Sequence, residues 1–167
     1  TPGCDNFYKF EKNYSTNTRW NRYAYIAGKI INQNLLLDNN VHLDIGSYYG
    51  GLQSFLKKKY PNANYVMVDF PHQLLRSYIF LNILYPKSEH IINEELKSKN
   101  LPDLKGSFIY IPTTNFNLLE KINFDLVTNF YSFGEMKREE FLNYFNSKSI
   151  TNSKIIYMVN RVMSAPF

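Results

Sequence analysis

The sequence predicts an α/β fold, a mainly parallel sheet covered on both faces by helices in a three-layer sandwich. Three observations predict it. From residue 41 onward, short apolar runs of strand length alternate with stretches of helical periodicity, the pattern of βαβ units. The first run meets a glycine-bearing turn, Gly46 to Gly51, and the second ends on an acid, Asp69. The chain has 167 residues, 44% hydrophobic and 20% charged, the composition of one soluble globular domain able to bury a sizeable core.

Residues 1–18 mix Gly, Pro, Ser, Thr and Asn with scattered aromatics and read as an irregular arm. Thr16 or Thr18 is placed to cap a helix, in which Trp20, Tyr23, Ala24, Ala27, Ile30 and Ile31 share one face until Asp38-Asn39-Asn40. Val41–Ile45 is a short apolar strand. After the turn, Leu52, Phe55, Leu56 and Tyr60 repeat at helical spacing until Pro61-Asn62 stops them. Tyr65–Val68 is the second strand, closed by Asp69. Pro71 then suits the first turn of a helix whose face carries Leu74, Leu75, Tyr78, Ile79 and Asn82. Residues 86–106 are polar and show no clear period. Strand-like runs return at Phe108–Ile111, Phe124–Thr128 and Ile155–Val159, with a helix near Lys137–Phe145 before the last. Crossovers between parallel strands should be right-handed.

The formal charge is +5 and the isoelectric point about 9.1, a balance that raises nucleic acid or an anionic small molecule as partners. The lysines are scattered, however, and the one tight run, Lys57-Lys58-Lys59, reads as a solvated helix face. No apolar run approaches the roughly 20 residues of a membrane span. One cysteine, Cys4, excludes an internal disulfide and a thiolate-clustered zinc site, and a reducing cytoplasm is the default compartment. The chain begins at Thr1 rather than Met, so a fragment or trimmed chain is expected.

The informative stretch is His42-Leu43-Asp44-Ile45-Gly46-Ser47-Tyr48-Tyr49-Gly50-Gly51. Glycines between a strand and a helix let the backbone approach a ligand and leave helix N–H groups pointing at it. Asp69 follows Gly50 by 19 residues, close to the roughly 20-residue offset at which an acid receives a ribose diol. A nicotinamide dinucleotide would want Gly-x-Gly-x-x-Gly, but Tyr48 stands in the second glycine's place. Asp44 at the end of the first strand would repel a diphosphate, yet could hold an ammonium group. A nucleoside bearing a cationic amino-acid tail fits better than one bearing phosphates.

At this point the residues resemble a known group. Leu43-Asp44-Ile45-Gly46 with Gly50-Gly51 resembles motif I of the class I S-adenosylmethionine-dependent methyltransferases, and Asp69 matches their ribose-binding acid. More narrowly, the chain resembles sugar O-methyltransferases associated with bacterial surface polysaccharide synthesis. That likeness runs through Asp44-Ile45-Gly46-x-x-Tyr49-Gly50-Gly51-Leu52, Val68-Asp69-Phe70-Pro71-x-x-Leu74-Leu75, Ser132-Phe133-x-Glu135-Met136 and Val159-Asn160-Arg161, from about residue 41 to 162. The resemblance implies a Rossmann-like domain over residues 41–167, with S-adenosylmethionine as cofactor and a small-molecule or glycan acceptor. Residues 1–40 would be an arm and helix placed to cover that acceptor. Asp44, Gly46, Ser47, Tyr48 and Gly50 would hold the methionine part, Asp69 the ribose and Phe70 the adenine. The third strand ends Ile111-Pro112-Thr113-Thr114-Asn115, without the acid that often meets the adenine amino group there. Thr113, Thr114 or Asn115, or a water, would substitute, and Asn129 would reach the methionine tail or the acceptor. In the family the sheet continues past its fifth strand with an antiparallel hairpin, whereas this chain stops at Phe167. Either the hairpin lies outside these residues, or a second subunit of a homo-oligomer takes its place.

Methyl transfer to a hydroxyl needs in-line positioning and a base. Glu135, after the fourth strand, is the first candidate base, and His72, near the rim beside Asp69, is the second. Tyr131 could line the acceptor pocket. No carboxylate–histidine cluster specifies a metal. Two alternatives remain open: methylation of RNA or DNA, and a degenerate fold that binds without catalysing.

Overall fold

The computed structural model describes residues 8–10, 14–96 and 103–160. Cys4 and Arg161, the last residue of the Val159-Asn160-Arg161 match, lie outside them. The main sheet contains β3 (Val41–Ile45), β4 (Asn64–Asp69), β5 (His90–Ile92), β6 (Phe108–Pro112), β7 (Leu126–Phe130) and β8 (Ile155–Val159). Its spatial order is β5-β6-β4-β3-β7-β8, every neighbouring pair parallel. A separate antiparallel pair, β1 (Tyr8–Phe10) and β2 (Tyr14–Thr16), precedes it.

The order reverses at β3, which lies between β4 on one side and β7 on the other. A crevice must open at the carboxyl ends of strands on either side of such a reversal. Covering the sheet explains the strand sequences: β4 is buried along its whole length, so it reads as a continuous run rather than an alternation. On one face Tyr65, Met67, Phe108, Tyr110 and Leu126 pack against α1 (Thr18–Asn32), α2 (Gly51–Lys59) and α3 (Pro71–Leu84). On the other, Leu43, Ile45, Val66, Val68, Ile109 and Val127 meet Phe133, Tyr144 of α5 (Arg138–Phe145) and Ile150 of α6 (Lys148–Thr151). No helix among the described residues is long and apolar enough to cross a membrane.

Several local expectations shift. Asn17, rather than Thr16 or Thr18, caps α1, its side chain accepting from the Trp20 N–H at 2.9 Å. The face α1 buries is centred on Ile26, Ala27 and Ile30, while Ala24 is exposed, and the helix ends at Asn32. In α3, Leu74, Ser77 and Leu81 are buried, whereas Leu75 and Ile79 are 60% and 52% exposed. A hydrogen bond turns this helix inward along a polar residue: Ser77 Oγ donates to the Tyr48 carbonyl at 2.6 Å. The polar stretch 86–106 contains β5 and a single helical turn, α4 (Asn93–Leu96); only Ile91 of β5 is buried, too little apolar surface to show as a period. β7 starts two residues later than expected, because Phe124 is buried ahead of the strand rather than in it. Residues 161–167 lie outside the described part, and no antiparallel strand follows β8 among the described residues.

Lys57 departs from the solvated helix face expected of it. Its side chain is buried and its Nζ donates to the carbonyls of Pro61 and Gly106, both at 2.5 Å, tying α2 to the loop before β6. Burial pulls its pKa below the ordinary lysine value, with Asp38 opposing. Removing the donor leaves two carbonyls unmet, so Lys57→Met should cost about 1–3 kcal/mol. Lys58→Met, on the exposed side of the helix, should change stability by less than about 0.5 kcal/mol. Denaturant unfolding of the two variants measures the difference.

Candidate functional site

The turn after β3 is built from left-handed backbone. Gly46 has φ +78° and donates its N–H to the Val68 carbonyl at 2.8 Å, joining the ends of β3 and β4. A Cβ on Gly46 would overlap the Ser132 side chain. Gly50, φ +79°, caps α2, and a Cβ there would come within 2.7 Å of Leu81. Between them Tyr48 takes φ +55°, a conformation suited to glycine, so the position where a dinucleotide motif carries its second glycine keeps that backbone requirement here. The strained residue is held at both ends. Its N–H donates to Asp69 Oδ2 at 2.6 Å, and its carbonyl accepts from Ser77.

Above this turn lies an open cavity of about 480 Å3 at the carboxyl ends of β3, β4 and β7. Asp44, Gly46, Ser47, Tyr48, Asp69, Phe70 and Thr113 all line it, so the structure gathers most of the residues expected to hold a cofactor. Ser47 Oγ is buried without a hydrogen-bond partner. Asp44 accepts from Gln53 Nε2 at 2.7 Å and Thr128 Oγ1 at 2.6 Å, and Thr128 is in turn bonded to His42 Nε2 at 2.8 Å. Burial pushes the Asp44 carboxyl up to about 7; the bonds from Thr128 and Gln53 oppose this, and the charge of Asp69 adds to it. Burial likewise drives His42 down to about 3, so the imidazole is neutral in the fold. Asp69 is also raised by burial, against the N–H groups of Phe70 and Tyr48 and the charge of His72.

Beyond β7, a short 3-10 turn, Phe133–Glu135, carries Glu135 to the cavity wall, exposed, beside Met136. Tyr131, φ +71°, lines the same wall with the Arg22 guanidinium 4.5 Å from its ring centroid.

Four expected residues stand outside the cavity lining, the first being Gly50, whose part is the left-handed cap of α2 described above. His72 is exposed on the first turn of α3 and stacks on Phe70, ring centroids 5.9 Å apart, outside the set that lines the cavity. Thr114 lines a smaller neighbouring hollow, its hydroxyl donating to Asn115 Oδ1 at 3.1 Å. Asn129 is fully buried and spent on the fold. Its Nδ2 donates to the Ile45 carbonyl and Ser132 Oγ, and its Oδ1 accepts from the Phe133 N–H. Phe70 sits on the rim, 59% exposed, with the His72 ring stacked beside it.

Sequence reasoning missed Arg19, Arg22 and Tyr23, which α1 projects into the cavity. Tyr23 reads only as part of the apolar face of the helix, while Arg19 and Arg22 occupy polar positions that read as the solvent side when the sheet they approach is unknown. Ile26, Ala27 and Ile30 root this helix in the core, so α1 forms a fixed wall of the cavity.

No family profile matches the sequence, and no curated protein does. Solved structures do match its fold. Coclaurine N-methyltransferase, bound to N-methylheliamine and SAH, is 16% identical with a TM-score of 0.55 over 90% of this chain and 38% of that one. A SAM-dependent methyltransferase from Aquifex aeolicus is 13% identical, TM-score 0.52, over 88% and 78%. Another from Clostridium acetobutylicum is 18% identical, TM-score 0.50, over 83% and 47%. The chain thus spans less than half the length of the first and third of these proteins. The architecture is the Rossmann-like fold of the class I methyltransferases.

Two expectations follow. Gly46→Ala forces a left-handed alanine against Ser132 and should cost about 2 kcal/mol or more in unfolding free energy. For Asp44 the folded pKa lies above the unfolded one, so its contribution favours folding at low pH and is lost as pH rises from about 4 through 7. The depressed pKa of His42 works the opposite way, losing stability as pH falls below about 6.5. The stability of Asp44→Asn relative to the parent should therefore increase with pH over that window, and that of His42→Gln should decrease. Chemical denaturation at a series of pH values tests both signs.

Proposed function

We propose that this chain binds S-adenosylmethionine and methylates a hydroxyl group of a small-molecule or glycan acceptor, with a sugar as the first class to test. The observation that carries the reading is the joining of the Gly46–Gly50 turn to Asp69 across the switch point, over an open cavity that also receives a buried carboxylate, Asp44. The polar groups suit such a cofactor: an acid for a ribose diol, an acid for an ammonium, a buried unmet hydroxyl at Ser47, and an exposed aromatic face at Phe70. Proteins of the same fold hold SAH, coclaurine N-methyltransferase among them.

When bound, S-adenosylmethionine would supply an electrophilic methyl on a sulfonium. The chain's own part is to position and to take a proton. Gly46 lets the backbone approach the ligand, Asp69 fixes the ribose end, and Asp44 in its ionised form holds the amine. Glu135, on the same cavity wall beyond β7, receives the proton of the attacking hydroxyl, with Tyr131 and Met136 shaping the acceptor side. His72 is outside the residues that line this cavity and is left with the weaker claim. Support for a sugar acceptor is the placing of the Ser132-Phe133-x-Glu135-Met136 match, since Ser132, Glu135 and Met136 line the cavity together. The nucleic-acid alternative draws nothing from Lys57, whose charge is turned inward.

Asp69→Ala should abolish SAH binding by calorimetry, and Asp69→Asn should weaken it at least tenfold; unchanged affinity in both overturns the reading. Glu135→Gln should lower turnover on a sugar acceptor by about 10²–10⁴-fold with SAH affinity kept, and full activity would remove Glu135 from the reaction.

A further inference from the structure

Behind Asp44, among residues that do not line the cavity, runs a chain of buried hydrogen bonds. His42 and Asp44 stand two apart on β3, and Thr128, the register partner of Asp44 on β7, bonds to both. Its Oγ1 lies 2.8 Å from His42 Nε2 and 2.6 Å from Asp44 Oδ1, and both His42 and Thr128 are wholly shut off from solvent.

Counting protons gives this chain a direction. A threonine hydroxyl has one proton and can donate to only one of its two neighbours. An ionised carboxylate only accepts, so that proton points at Asp44, and Thr128 Oγ1 accepts from His42 Nε2–H. The imidazole is neutral in the fold, which leaves Nδ1 a bare lone pair, and Nδ1 is the ring nitrogen without a partner. With Asp44 protonated on Oδ1 the chain would have to reverse. The hydroxyl would then turn to the Leu43 carbonyl, 3.4 Å away, or to a His42 tautomer whose buried Nδ1–H is an orphan donor. Gln53 Nε2 meets the other carboxylate oxygen at 2.7 Å. Each donor behind Asp44 thus favours the ionised acid, against the burial that opposes it.

We propose that His42 is a positioning residue of the cofactor site: through the Thr128 hydroxyl, its Nε2–H keeps Asp44 the acceptor-only carboxylate that receives the cofactor's ammonium. This rests on S-adenosylmethionine binding as proposed above. Neither His42 nor Thr128 lines the cavity, so both act through Asp44. Tyr65 meets the His42 ring edge-on, centroids 6.0 Å apart. Tyr23 of α1 faces Asp44 as a neutral phenol, its pKa raised by burial and then by the charges of Tyr49 and Asp44. Asp69 on β4, Arg19 and Arg22 on α1, and Glu135 and Glu140 beyond β7 share the cavity with Asp44.

The ratio of SAH to 5′-methylthioadenosine affinity, measured by calorimetry between about pH 5.5 and 8, tests the assignment. Methylthioadenosine keeps adenine, ribose and sulfur but lacks the amino-acid tail, so changes at Asp69 or in the fold cancel in the ratio. In the parent the ratio should fall as pH drops below about 7, where Asp44 gains its proton. Thr128→Val removes a donor to the carboxylate and should move that fall upward by about one pH unit. His42→Phe should move it the same way by about half a unit, whereas His42→Gln, which keeps an N–H in place, should hold the parent profile. Where an apolar variant does not fold, nitrogen-15 NMR of the parent decides: His42 should carry its proton on Nε2, and a proton on Nδ1 overturns the assignment. A parent ratio flat with pH, a profile unmoved in His42→Phe, an equal shift in His42→Gln, or equal losses for both ligands also overturns it. A parent protein that binds neither ligand would instead overturn the proposed function, before any variant is made.

Discussion

A single carboxylate sets the geometry on which the cavity depends. Asp69 ends β4, accepts the N–H of Tyr48 from the neighbouring turn and the N–H of Phe70 at the start of α3, and still faces the open space. That tether meets the N–H of the left-handed Tyr48, so the residue that would receive a ribose also braces the β3–α2 turn. Ser77, reaching back from α3 to the Tyr48 carbonyl, completes the brace from the other direction.

The cost of this arrangement falls on the acids. Burial raises both Asp44 and Asp69 from their ordinary carboxylate values, and the charge of Asp69 adds to the rise of Asp44. The hydrogen bonds from Gln53 and Thr128 recover only part of the Asp44 penalty. A fold selected for stability alone would place an apolar residue at the end of β3, as it does at Leu43 and Ile45 on either side. An under-compensated acid in a cavity wall marks a candidate functional position.

Much of this was legible before any coordinates. The alternation of strand and helix, the turn at Gly46 to Gly51 and the spacing to Asp69 are local signals, and each corresponds to an observed element. What the sequence hid was set by contacts between distant residues. Lys57 reads as solvated until Pro61 and Gly106 are seen to present carbonyls to it. Asn129 reads as a ligand-facing amide until the Ile45 carbonyl and the Phe133 N–H claim both its ends. His72 lies three residues from Asp69 in sequence, yet the turn into α3 carries it out to stack on Phe70.

The arginines of α1 show the same limit from the opposite side. Helical periodicity identifies the face that a helix buries, and here Ile26, Ala27 and Ile30 bury theirs against α2 and the sheet. It does not reveal that the first turn of the helix overhangs the carboxyl ends of the strands, because that depends on the crossing of α1 over a sheet formed later in the chain. Arg19 and Arg22 occupy that overhang. Their guanidinium groups therefore share the cavity lining with Asp44 and Asp69, and the charge of that lining is legible neither from α1 nor from the strand ends taken alone.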